Sequence, residues 1–177
     1  LTRSLLNAGA RKLVVVENDQ RCFAALDELS KAFPGRMRVV QADAMIVNEA
    51  QYASPGTKIV ANLPYNISTA LLLKWLTDAK RYASMTLMFQ KEVAMRLVAE
   101  PSTADYGRLS VMTQWVCDVK RLFDVQAGSF VPPPKVHDPF FDTPYEPPAQ
   151  TQDTVSKTET VFSNVRSISP NIKPKRK

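Results

Sequence analysis

Four short β-rich runs alternate with helical patterns along the first 125 residues, and this alternation limits the fold more than any other feature. The runs are Leu13-Val14-Val15-Val16, Met37 to Val40, Ile59-Val60-Ala61 and Met85 to Phe89. Between the first two, Asp19 is placed to cap a helix in which Cys22, Phe23, Leu26, Leu29, Ser30 and Phe33 recur at helical spacing, with Pro34-Gly35 as its stop. After the third, Ser68 is placed to cap a helix whose Leu71, Leu72, Trp75, Leu76 and Ala79 form one apolar stripe. After the fourth, a helix is predicted over Lys91–Ala99, ended by Pro101, and another around Tyr106–Gln114. Trp115, Val116, Val119, Leu122 and Phe123 then read as an edge strand. Strands separated by helices predict an α/β domain with a mostly parallel sheet, covered on both faces.

Composition narrows the function. The 177 residues are 45% apolar and 23% charged, as in ordinary globular domains. No apolar run reaches the roughly 20 residues that a membrane-spanning helix requires. Cys22 and Cys117 are too few for a disulfide scaffold and suit a reducing compartment. His137 is the single histidine, so a histidine-rich metal site is excluded, no metal is expected, and the commonest general base is lacking. A net charge of +6 permits a nucleic-acid partner without requiring one.

Doubly wound sheets bind ligands at the carboxyl ends of their strands, and three such ends carry polar residues here. Glu17 follows the first run and can accept both hydroxyls of a ribose, or serve as a solvated turn residue. Asp43, in Gln41-Ala42-Asp43-Ala44-Met45, can accept from an exocyclic amine such as that of adenine, or cap the next segment. Asn62-Leu63-Pro64-Tyr65 after the third run is more specific. The Asn62 side-chain oxygen and the Leu63 carbonyl can accept both hydrogens of one amino group, which reduces conjugation of the nitrogen lone pair and aims it at an electrophile. Pro64 has no N–H and a fixed φ, which stiffens the turn. Tyr65 offers a face for base stacking, worth about 1–3 kcal/mol per base. A plain turn also uses Asn and Pro, but the strand-end position favours a site.

Asn62-Leu63-Pro64-Tyr65-Asn66-Ile67-Ser68 resembles motif IV of the ribosomal RNA adenine N6,N6-dimethyltransferase family. Further matching stretches follow the family order: Val16-Glu17-Asn18-Asp19, the Gln41–Met45 segment, Phe89-Gln90-Lys91-Glu92-Val93, Tyr106-Gly107-Arg108-Leu109-Ser110-Val111, and Phe130-Val131-Pro132-Pro133-Pro134-Lys135-Val136. The resemblance implies a Rossmann-like, class I S-adenosyl-L-methionine-dependent methyltransferase domain over residues 1–136. It implies methylation of N6 of adenosines in small-subunit rRNA, within the small ribosomal subunit or its precursor. On this resemblance Glu17, Asp43, Ala44 and Asn62 hold the cofactor. Asn62, Leu63, Pro64 and Tyr65 form the catalytic motif, Tyr65 and Phe130 sandwich the target adenine, and Lys135 meets phosphate. A neutral exocyclic amine needs no base before attack, which suits a chain without a placed histidine. Arg108 is open between phosphate contact and surface ion pairing, and Lys91-Glu92 reads as a solvated helix start.

Two parts of the family pattern are lacking. There is no G-x-G, and Leu1-Thr2 resembles the residues just past the family's glycine loop, so a sheet without its first, central strand is expected. After Val136 the text turns polar: residues 141–177 hold nine apolar residues in thirty-seven and five prolines, ending on Lys173-Pro174-Lys175-Arg176-Lys177. Residues 137–177 are therefore expected to form a basic tail without fixed structure, through an altered reading frame or a diverged gene end. A monomer in the cytoplasm is expected, with mitochondrial and nuclear origins left open. A non-catalytic rRNA-binding or ribosome-assembly factor, an inactive fragment and a DNA adenine N6-methyltransferase are the alternatives.

Overall fold

A computed structural model describes residues 1–126, Ser129 and the backbone of 162–170. Phe130, Lys135 and His137 lie outside the described residues. The elements run α1 (Thr2–Asn7), β1 (Leu13–Glu17), α2 (Phe23–Ala32), β2 (Met37–Gln41), β3 (Thr57–Asn62), α3 (Ser68–Leu76), β4 (Tyr82–Gln90), α4 (Lys91–Val98), α5 (Arg108–Val116), β5 (Cys117–Val125) and β6 (Phe162–Pro170). Every β-rich run of the sequence became a strand, and every expected helix formed within a few residues of its predicted limits. The short α1 was not foreseen. The Arg36 guanidinium donates to Leu6 O in its last turn at 2.6 Å and to Ala10 O just beyond it at 2.7 Å.

The described strands form two sheets. β1 and β2 pair in parallel, with Leu13 beside Met37 and Glu17 beside Gln41. The second sheet has the order β3-β4-β6-β5, in which β3 and β4 are parallel and β6 runs antiparallel to both neighbours. β1 pairs only with β2 and β3 only with β4 among the described residues. Each of these strands keeps one edge without a ladder partner.

The core lies on the larger sheet. Tyr82, Met85, Leu87 and Phe89 of β4 are buried against Leu71, Leu72 and Trp75 of α3 and Ala94 and Leu97 of α4. Residues of β1 are only half-buried throughout, as befits a strand in a two-stranded ladder.

Three expectations are corrected. The edge strand starts at Cys117, because Trp115 and Val116 complete the last turn of α5. Ser68 is the first residue of α3 rather than its cap; Ile67 precedes the helix without a capping side chain, and the Ser68 hydroxyl donates to Tyr65 O at 3.1 Å. The tail beyond residue 137 supplies a strand, β6, which enters between β4 and β5. Backbone pairing explains this: β6 covers the edge of β4 from Leu87 to Gln90 and pairs along β5 from Cys117 to Val125. Averaging composition over thirty-seven residues hid a run that is permissive for a strand.

Candidate active site

Three polar strand ends make up the candidate site. β1 ends on Glu17, β3 ends on Asn62, and Asp43 stands two residues beyond the end of β2. Glu17 and Asp43 share one end of a parallel ladder, and the Ala42 N–H donates to Glu17 O at 3.1 Å to hold the two segments together. Asn62 occupies the corresponding end of the β3–β4 ladder, opposite Met88. These are the carboxyl ends at which α/β sheets bind ligands.

The Asn62–Tyr65 turn is anchored from beneath. The Leu63 side chain is buried in the core, whereas Asn62, Pro64 and Tyr65 face outward. The Ile67 N–H donates to Pro64 O at 3.2 Å, and the buried Ser68 hydroxyl holds Tyr65 O. No hydrogen bond engages the Asn62 amide or the Leu63 carbonyl among the described residues. The exposed Asn62 amide and the Leu63 carbonyl are thus two acceptors without a hydrogen-bond partner among the described residues. The Tyr65 ring is 39% exposed, and partial burial pushes its phenol pKa up, so the ring presents a neutral face.

Glu17 and Asp43 each spend one carboxylate oxygen on local backbone. Glu17 Oε1 accepts from the N–H groups of Asn18 at 2.8 Å and Asp19 at 2.9 Å. Asp43 Oδ1 accepts from the Met45 N–H at 2.8 Å. In both, the other oxygen has no hydrogen-bond partner among the described residues. The turn role and the ligand role weighed for each residue are therefore compatible. Asp19 accepts from Arg21, both through its side chain and its N–H, and these bonds hold its carboxyl at about 2. It caps a single 3-10 turn over Gln20–Cys22 ahead of α2. Ala44 is half-buried and packs against the core. Lys91 and Glu92 are exposed in the first turn of α4, and Arg108 is exposed at the start of α5 with no ion pair among the described residues.

One cluster escaped the sequence reading. Lys74 of α3 donates to Ala44 O at 2.7 Å, Val47 O at 2.5 Å and Glu49 Oε1 at 2.8 Å. The Trp75 indole N–H donates to the same Glu49 oxygen at 2.8 Å. The signal available was a lone lysine within Leu71-Leu72-Leu73-Lys74-Trp75-Leu76, and its partners lie some thirty residues upstream. Glu49 also sits near Tyr82, whose phenol is pushed up to about 12, mainly by burial and then by that carboxylate.

Solved structures share this architecture. A dimethyladenosine transferase from Plasmodium falciparum superposes with a TM-score of 0.67 at 24% identity, over 90% of this chain and 48% of that one. The 23S rRNA methyltransferase ErmE gives 0.63 at 24% identity, over 98% and 59%. These likenesses show a Rossmann-like, class I methyltransferase fold. A family model described as ribosomal RNA adenine dimethylase matches residues 1–138. The ribosomal RNA small subunit methyltransferase A of Rhodospirillum rubrum is 49% identical over 136 residues, and that of Paramagnetospirillum magneticum 53% over 136. Each alignment covers 77% of this chain and 47% or 48% of the relative. The chain belongs to the ribosomal RNA adenine dimethylase family, and it spans about half the length of the curated relatives it matches.

Proposed function

We propose that this chain is the catalytic part of an enzyme that transfers methyl groups from S-adenosyl-L-methionine to N6 of adenosines in small-subunit rRNA. The observation that carries the reading is a pair of acceptors without a partner among the described residues, the Asn62 amide and the Leu63 carbonyl, on a turn anchored at the carboxyl end of β3. Family membership and the relatives named ribosomal RNA small subunit methyltransferase A support the substrate.

The residues present fit the adenosyl half of the cofactor. The spare oxygens of Glu17 and Asp43 are acceptors for ribose hydroxyls and for the adenine amine, and half-buried Ala44 offers an apolar edge beside them. When bound, S-adenosyl-L-methionine supplies an electrophilic methyl group on a sulfonium. Asn62 and the Leu63 carbonyl hold the two hydrogens of the target amine and orient its lone pair. Tyr65 stacks on one face of the flipped adenine, and Phe130 is proposed for the other. Lys135 is proposed to bind phosphate. The amine attacks in its neutral form, so the proton leaves after transfer and no histidine is required. Rate enhancement comes mainly from proximity and alignment. The methyltransferase unit is proposed to cover residues 1–136, acting as a monomer on the small subunit or its precursor in the cytoplasm.

Calorimetry with S-adenosyl-L-methionine and a methylation assay with rRNA and duplex DNA side by side test this reading. One-site binding that Glu17→Ala abolishes, with label entering rRNA alone, is the expected result. Label in DNA overturns the substrate. RNA binding without methyl transfer by the full-length protein overturns the activity and leaves a binding factor.

A further inference from the structure

The loop that carries Asp43 is fastened at both ends. On its own side, Asp43 turns it by accepting the Met45 N–H with Oδ1 and the Ile46 and Val47 N–H groups, each at 3.1 Å, with its backbone carbonyl. From the opposite side, the Lys74 ammonium closes the same turn by donating to the carbonyls of Ala44 and Val47. Its third hydrogen goes to Glu49, whose carboxylate is itself held by the Trp75 indole. Lys74 and Glu49 are each about three-quarters buried, with side-chain exposures of 24% and 23%. An ammonium shielded to that degree with all three donors used is set in one position, and so are the carbonyls it binds.

Lys74 and Trp75 lie on α3, the helix that follows directly from the Asn62–Ser68 turn. The same helix therefore connects the amine-orienting turn at the end of β3 with the loop beyond β2. We propose that Lys74, braced by Glu49 and Trp75, is a positioning residue that fixes Asp43 and Ala44 for the adenine of the cofactor and keeps that contact in register with Asn62. The inference rests on the cofactor reading given above and adds to it a clamp that does not touch the ligand. Without the ammonium, the Ala44 and Val47 carbonyls lose a charged donor, and the turn loses its distal tie while Asp43 keeps its own backbone bonds.

Amide hydrogen exchange of the cofactor-free chain tests the clamp, using Lys74→Met, which keeps the apolar stem, and Glu49→Gln, which removes the ion pair but keeps an acceptor. In Lys74→Met, exchange at Met45, Ile46 and Val47 is expected to rise about tenfold or more, since both charge-assisted hydrogen bonds to the loop carbonyls are lost, while Leu87 and Phe89 in β4 stay unchanged. Glu49→Gln should move the same amides in the same direction by less. Unchanged exchange at these three amides in both variants overturns the clamp. Binding of S-adenosyl-L-homocysteine against S-inosyl-L-homocysteine, which lacks the adenine amine, tests the positioning. The parent chain should prefer the adenosyl ligand, Asp43→Ala should erase the preference, and Lys74→Met should shrink it. A preference lost in Asp43→Ala but intact in Lys74→Met overturns the positioning role. A preference intact in Asp43→Ala overturns the adenine reading itself, and the exchange result then judges the clamp alone.

Discussion

At the scale of single residues, Asn62 and Cys117 show how one side chain acquires a role from its surroundings. Asn62 is exposed on a turn whose neighbour Leu63 is buried, and its amide has no hydrogen-bond partner among the described residues. Asn62→Ala should lower methyl transfer by about 100-fold or more, the usual cost of misplacing a reacting group. The drop is expected in single-turnover rate with far-ultraviolet circular dichroism unchanged; a rate within a few fold of the parent would remove Asn62 from the mechanism. Cys117 is 2% exposed, and burial, aided by the Asp118 charge, pushes its thiol up to about 12 from 9.0. The folded state thus keeps the thiol neutral where the unfolded chain ionises it. That contribution to stability is complete below about pH 9 and is lost as pH rises toward 12. A thiol reagent at pH 8 should label half-buried Cys22 in the native protein and reach Cys117 only on unfolding. Equal labelling of both would contradict the packing of β5.

At the scale of elements, what sequence could and could not reveal depends on the range of the interactions. The Asn62–Tyr65 turn was legible because its chemistry is contiguous and its strand precedes it directly. Glu17 and Asp43 were legible as strand-end carboxylates, and the local turn role weighed for each is the one their backbone bonds show. Lys74 was illegible: nothing near it in sequence says that its partners are the carbonyls of Ala44 and Val47. β6 was missed because pairing with β4 and β5 was decided by open ladder edges far upstream. The α4–α5 junction depends on a similar long-range bond. Buried Ser110 accepts from the Gly107 N–H at 3.1 Å and donates to Arg96 O at 2.5 Å, so one hydroxyl caps α5 and ties it to α4. Ser110→Ala leaves both groups without their partner and should cost about 1–3 kcal/mol in urea unfolding, with an unchanged m-value. A change below a few tenths would mean that water replaces the hydroxyl at no cost.

At the scale of the whole molecule, charge and incompleteness of the sheet act together. Lysines and arginines exceed acids by six, yet the described ion pairs use only Arg21, Lys31, Lys74, Arg81 and Arg121. Arg36 is spent on the carbonyls of Leu6 and Ala10, whereas Arg108 at the start of α5 and Lys91 at the start of α4 are exposed. An ion pair was one of two roles open to Arg108 from its sequence, and the structure gives it none among the described residues. Phosphate contact is the role we propose for Arg108, and counterion release makes it measurable. Each neutralised phosphate of a single strand adds about −0.7 to the slope of log K against log salt concentration. Arg108→Ala should therefore weaken binding to a small-subunit rRNA fragment and reduce the magnitude of that slope by about 0.7, equally for unrelated RNA sequences of the same length. Weaker binding with an unchanged slope would assign Arg108 to the folding of α5, and an unchanged affinity would leave it as a solvated side chain. Because the substitution touches none of Glu17, Asp43 or Asn62, cofactor affinity should stay at the parent value, which separates docking of the RNA from chemistry at the strand ends.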